Sequence, residues 1–142
     1  MSRRAILTRN AALDGESALF DNGYQQWWDG PRPTNGNTAT TGSNHLLVEL
    51  RYGSPAFPAA AGGVATANPL TSGVAVAAGT PTFVRNLRSD HATVIEDMSI
   101  GLTVGAGGPG TDEVLYDKAG GALAVNDIVQ CASCTRTGPI GA

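Results

Sequence analysis

Few side chains in this sequence have chemistry to offer, and their spacing decides what they can do. Cys131 and Cys134 stand three apart in C-A-S-C. A structural zinc wants four ligands, yet there is no second CxxC, and His45 and His91 are each alone and distant in sequence. A redox pair sits at the start of a helix, where the N-terminus lowers the thiol pKa. Here Asp127 to Arg136 reads as a strand, on which residues three apart point to opposite faces, so the expectation is two structural cysteines. His91 lies beside Asp90, which could orient it, but no G-x-S-x-G elbow supplies a nucleophile. Glu96-Asp97 and Asp112-Glu113 are adjacent, so on strands they diverge instead of flanking one bond as a glycosidase pair must. Asp112, Asp117 and Asp127 match no EF-hand spacing. Gly105 to Gly110 has the glycines of a phosphate loop without the Lys-Ser/Thr that follows one. The expected chemistry is contact, not catalysis, with no cofactor and no metal.

Contact chemistry points to other residues. Gln25-Gln26-Trp27-Trp28 puts two indoles on opposite faces of one strand. One can be core; the other needs cover from a loop, a neighbouring subunit or a sugar ring, and both can be buried in a small-residue sandwich. Eight of the nine basic residues are Arg, with Lys118 the exception, and Arg pairs and desolvates well at interfaces. Arg3, Arg4 and Arg9 fall in a stretch with no acid. Together with Arg32 they and the two tryptophans are the candidate protein-contact residues.

The elements that must position these residues are short. His45 to Tyr52 alternates Leu46, Val48, Leu50 and Tyr52 against Leu47, Glu49 and Arg51, the period of a half-buried strand. Strands are also expected at 24–28, 63–68, 74–78, 82–88, 92–102, 114–116, 123–125 and 128–136, with a hairpin-like turn at 88–91. Asn10 is placed to cap a helix over Ala11 to Phe20, and Asp21-Asn22-Gly23 to stop it. Thr34 to Ser43 is too polar to pack and reads as a surface loop. With 19 Gly and 8 Pro punctuating β-branched runs, the expected fold is all-β: a jelly-roll-like antiparallel β-sandwich, without parallel pairing, and with a short N-terminal helix. Residues 1–142 are expected to form one domain, with 1–9 a basic extended arm and 137–142 a flexible tail.

Net charge is −3, with no basic stripe of the kind that marks a nucleic-acid footprint. There is no apolar run long enough for a membrane span, and Ala5 to Leu7 is too short for a signal-peptide core. The expectation is a protein made in a cytoplasm, with neither nucleic acid nor membrane as partner.

Laid out in order, these segments carry a resemblance over roughly Leu7 to Thr135. Its parts are Arg9-Asn-Ala-Ala-Leu13, Gly23-Tyr24 leading to Asp29-Gly30-Pro31-Arg32-Pro33, and Leu46-Leu-Val-Glu-Leu50. Pro55-Ala-Phe57, Gly63-Val-Ala-Thr-Ala67 and Ala78-Gly-Thr80 follow, then Phe83 to Arg85 and Val94-Ile95-Glu96. The chain resembles a group of small tailed-bacteriophage virion structural proteins. That resemblance implies a capsid decoration or cement protein in the virion, on the outside of the head. Its implied partners are the major capsid protein and further copies of itself, as a dimer or trimer. The family offers no catalytic residues. This chain departs from it at Gln25 to Trp28, where the family pattern alternates aliphatic and basic residues before an aromatic one. A tail or baseplate component that binds host-surface carbohydrate through Trp28 and a loop carboxylate is the alternative.

Overall fold

The computed structural model describes residues 4–103 and 113–137. One helix, α1 (Ile6–Ser17), runs into a 3-10 turn at Ala18–Phe20. It begins earlier than the Asn10 cap implies, so residues 6–9 are helical and not an extended arm. The reason lies in Asn10 itself. Its side-chain oxygen accepts the Gly63 backbone N–H at 2.8 Å, and one turn on Asp14 accepts that of Ala60 at 2.7 Å. Residues i and i+4 share a helix face, so these acceptors pin α1 along the 60–63 turn, while Leu13 and Ser17 are buried. Ala5, extended, precedes the helix with no side-chain cap. The stop signal acts as read: Asn22 takes φ 57°, and a Cβ at Gly23 would lie 2.4 Å from the Leu87 carbonyl.

Nine strands follow among the described residues: β1 (Tyr24–Trp28), β2 (Leu46–Arg51), β3 (Val64–Thr66), β4 (Gly73–Val74), β5 (Phe83–Leu87), β6 (Val94–Leu102), β7 (Glu113–Tyr116), β8 (Ile128–Val129) and β9 (Ser133–Thr137). Seven form one sheet in the order β2-β1-β5-β6-β7-β9-β3, and β4 and β8 form a small second one. β6 is the shared member. Its first half pairs with β5 and its second with β7. The sheet curls about it until inner faces meet: the Trp27 ring on β1 lies 5.1 Å from Tyr116 on β7, and the Tyr52 hydroxyl just past β2 lies 3.7 Å from the Cys134 sulfur on β9.

The expectation of a β-rich chain with a short N-terminal helix holds; four details differ. β6 and β7 run parallel, with Ser99 beside Glu113, so the sheet is mixed and not purely antiparallel; the chain restarts in the same direction after residues 104–112 instead of turning back as a hairpin. The strand expected over 128–136 is two strands, because at Ala132 the backbone bonds to Leu115 while β8 goes to β4 and β9 to β7. Residues 123–125 make a single bridge, Leu123 to Gly79. Thr137 belongs to β9, so the ladder reaches into the expected tail.

A bulge sets the faces of β2. Trp27 pairs with Val48 and Trp28 with Leu46, leaving Leu47 as the extra residue, and Leu47 and Val48 are both fully buried. Strict alternation would have put Leu47 outward beside Glu49 and Arg51.

Candidate functional site

The tryptophan pair divides as a strand requires. Trp27 is fully buried, so its contacts are with its own core and not with a partner. Its indole N–H donates to Gln25 Oε1 at 2.7 Å, Gln25 Nε2 donates to the Tyr52 hydroxyl at 2.9 Å, and Tyr52 donates to Asn86 Oδ1 at 2.6 Å. This buried polar string runs from β1, past the end of β2, to β5. Buried polar groups are generally paired, and the string joins each of these side chains to a neighbour, with only the Asn86 amide nitrogen left over among its atoms. Burial pushes the Tyr52 hydroxyl well above its ordinary value, which keeps it a neutral donor.

Trp28 is half-buried on the opposite, outer face. Its N–H reaches Gln26 Oε1 at 3.3 Å, and Gln26 Nε2 donates to Glu49 at 2.7 Å. The same Glu49 oxygen lies 2.7 Å from His91 Nε2. The His91 ring packs 4.1 Å from Tyr24, and the Arg51 guanidinium lies 4.6 Å over the Tyr24 ring. Trp28, Gln26 and Tyr24, alternate residues of one strand, thus form an aromatic and amide row edged by Glu49, Arg51 and His91. His91 therefore pairs with Glu49 and not with the adjacent Asp90. Asp90 is committed to its turn: it accepts the Thr93 hydroxyl and the backbone N–H groups of Thr93 and Ala92, which hold its carboxyl down at about 2.

The loop after β1 lies on the surface as expected, and is tied down there as a strap. Asn44 donates to the carbonyls of Asp29 and Pro31, tying the loop's two ends together. Arg32, exposed, donates to the Asp97 carbonyl at 2.9 Å and to the Ser99 hydroxyl at 3.2 Å on β6. The Thr38 carbonyl accepts Arg85 Nη2 at 2.7 Å. Beneath the strap, Arg85 grips both oxygens of Asp97 at 2.8 and 2.9 Å. Both side chains are almost wholly buried, and this two-pronged geometry with a third carbonyl bond offsets the loss of their water. Glu96 turns the other way, to Arg136, as adjacent strand residues must. Buried Arg136 is held between Glu96 at 2.6 Å and Glu16 at 2.8 Å, with its guanidinium 4.7 Å over the Phe20 ring.

The structure does not gather the expected contact residues into one place. Arg3 lies outside the described residues, as do Asp112 and the Gly105–Gly110 loop. Arg4 is exposed ahead of α1. Arg9 is half-buried, its guanidinium against Gly63. Arg32 serves the strap. The two cysteines do come to one side, contrary to the strand argument, because the chain breaks between β8 and β9. Cys134 is in the core and Cys131 packs against it, both as free thiols. Desolvation raises the Cys131 thiol to about 11 and pushes Cys134 up further.

A surface that sequence reasoning passed over is apolar. On the small sheet Gly73, Ala75 and Val129 face inward, while Val74, Val76 and Ile128 face out, with Val125 exposed beside them. The signal was present in the alternation Val74-Ala75-Val76 of the strand expected at 74–78, but alternation alone does not tell which face is left without cover. On α1, Ile6 and Leu7 are exposed, as is Leu19 in the turn after it.

Among the described residues no three His, Cys, Asp or Glu side chains are placed to hold a metal ion. No helix among them is long and apolar enough to cross a membrane. No protein-family model, curated protein or solved structure matches this chain.

Proposed function

We propose that this chain is a non-enzymatic structural protein of a tailed-phage virion, a decoration protein that binds the outside of the head and stabilises contacts between major capsid subunits. The observation that carries the reading is the presence of exposed apolar side chains on different elements of one cross-braced body: Ile6 and Leu7 at the start of α1, Leu19 in the turn after it, and Val74, Val76, Val125 and Ile128 on and beside the small sheet. A protein that ties neighbours together needs more than one contact surface, and apolar patches on a folded domain mark such sites. The resemblance adds support. Its segments fall on α1, the strap, β2, β3, β5 and β6. In this reading the β-rich body acts as a jelly-roll-like framework, Arg4 and Arg9 accompany the helix surface toward the shell, and binding to the assembled state stabilises the shell by mass action.

Capsid shells assembled without this protein provide the test. Added protein should pellet with them saturably, occupy regular lattice positions in electron micrographs and raise the temperature at which shells disrupt. Failure to load onto shells sinks the reading.

The second reading, a tail or baseplate component that binds host-surface carbohydrate, is favoured by one observation: the outer row of Trp28, Gln26 and Tyr24 edged by Glu49. An aromatic face next to paired polar groups suits a sugar ring, with its apolar face and hydroxyl edge. The carboxylate is on β2 and not in a loop. Trp28→Ala would then abolish binding to cells while leaving the fold intact.

A further inference from the structure

We propose that the outer face of β4 and β8 is where two copies of this chain meet, about a twofold axis. The inference does not rest on the virion reading, since it concerns only the protein with itself. Val74 is 55% exposed, Val76 66%, Val125 54% and Ile128 75%. β-branched side chains at a strand face, this far open to water, are unusual when the alternate residues Gly73, Ala75 and Val129 are buried. Together they expose on the order of 400 Å² of apolar surface, the size at which a patch on a small domain is usually functional. A stable dimer covers roughly 800 Å² on each partner. The patch supplies the apolar centre, and the polar residues around it, Lys118, Asp127 and Gln130, supply a rim.

The shape and the charge of the patch favour a second copy as the occupant. Ile128 is a ridge between two hollows. One, of about 110 Å³, is lined by Lys118, Asp127 and Gln130; the other, of about 270 Å³, by Asp117, Gln130 and Ala132. A ridge beside a hollow is self-complementary, because under a twofold each copy's ridge meets the other's hollow. The rim also carries both signs. Lys118 Nζ lies 2.8 Å from Asp127 Oδ2 with both side chains part-exposed. On a chain of net charge −3, most like-to-like contacts bring acid to acid. Here the only lysine of one copy can face the aspartate of its twin.

Sedimentation equilibrium of the full chain from about 1 to about 200 µM tests the proposal. The expected result is a concentration-dependent shift from 14.4 kDa to twice that mass. Ile128→Asp and Val76→Asp, at exposed positions where the fold has little at stake, should each weaken the dimer at least about tenfold and leave the melting temperature of the monomer unchanged. Leu7→Asp, on the helix surface, should leave the dimer intact. A chain that stays at 14.4 kDa throughout overturns the proposal. So does a dimer or larger oligomer that survives both Ile128→Asp and Val76→Asp, because assembly would then use another surface.

Discussion

Removing the Tyr52 hydroxyl would cut the buried string in its middle. Gln25 would lose its acceptor and Asn86 its donor, with no water to replace them, so Tyr52→Phe should cost about 1–3 kcal/mol in urea-induced unfolding. Arg85→Ala should cost more, about 3–5 kcal/mol, because it leaves the Asp97 carboxylate buried and unpaired. Lys118→Ala, at a part-exposed ion pair, should cost under about 1 kcal/mol in the monomer. Cys131 gives the fold an alkaline limit. Its thiol is neutral in the folded chain up to about 11, against an ordinary value of 9.0. The unfolded chain therefore loses its proton first, so stability is fully present below about pH 9 and falls as pH approaches 11. Cys131→Ala should make that limb of the pH–stability curve shallower, with Cys134, whose thiol burial pushes up further, sustaining the rest. None of these roles was visible in residue types alone. Gln25, Asn86 and Arg85 read as ordinary polar positions on strands, and only the closure of the sheet shows that water is excluded around them.

At the scale of elements, alternation carried the reading a long way. β1, β2, β5 and β6 fall where period-two patterns put them, since a strand with one buried face writes that period into its sequence. Three outcomes escaped it because they depend on distant partners. Asn10 has the chemistry of a cap, yet Gly63 takes its oxygen from within the helix. The break at 130–132 arises because β8 and β9 serve different sheets. The polar 34–43 loop lies on the fold and not free of it because Arg32, Asn44 and the Thr38 carbonyl find partners on β6, β5 and the loop's own base. Where β4 approaches β2, no side chain fits at all: a Cβ on Gly73 would sit 2.3 Å from the Glu49 carbonyl oxygen and 2.9 Å from a Val48 methyl. Gly73→Ala should push the small sheet off β2, costing about 1–3 kcal/mol in thermal unfolding, and should speed hydrogen exchange at Val76, whose N–H bonds to the Leu47 carbonyl. Gly42→Ala, with open space around it, is the matched control.

For the whole molecule, the strand order sets the pace of folding. Ala65 pairs with Arg136, Trp27 with Val84, and Gly73 with Val129, so most of the chain must be in place before any of these ladders closes. Loop closure precedes the reward, and folding should take milliseconds to seconds, as stopped-flow tryptophan fluorescence would show. Trp27, buried in the centre, is the natural reporter. The same closure brings the beginning and the end of the described chain together. Arg9 rests on Gly63, the next residue Val64 pairs with Thr137, and Arg136 holds Glu16 of the helix. Anything fused ahead of α1 and anything fused after β9 would therefore leave the body from the same neighbourhood. A short linker between those points would give a ring, free to be reopened at the Gly120-Gly121 turn with the order of strands in space unchanged.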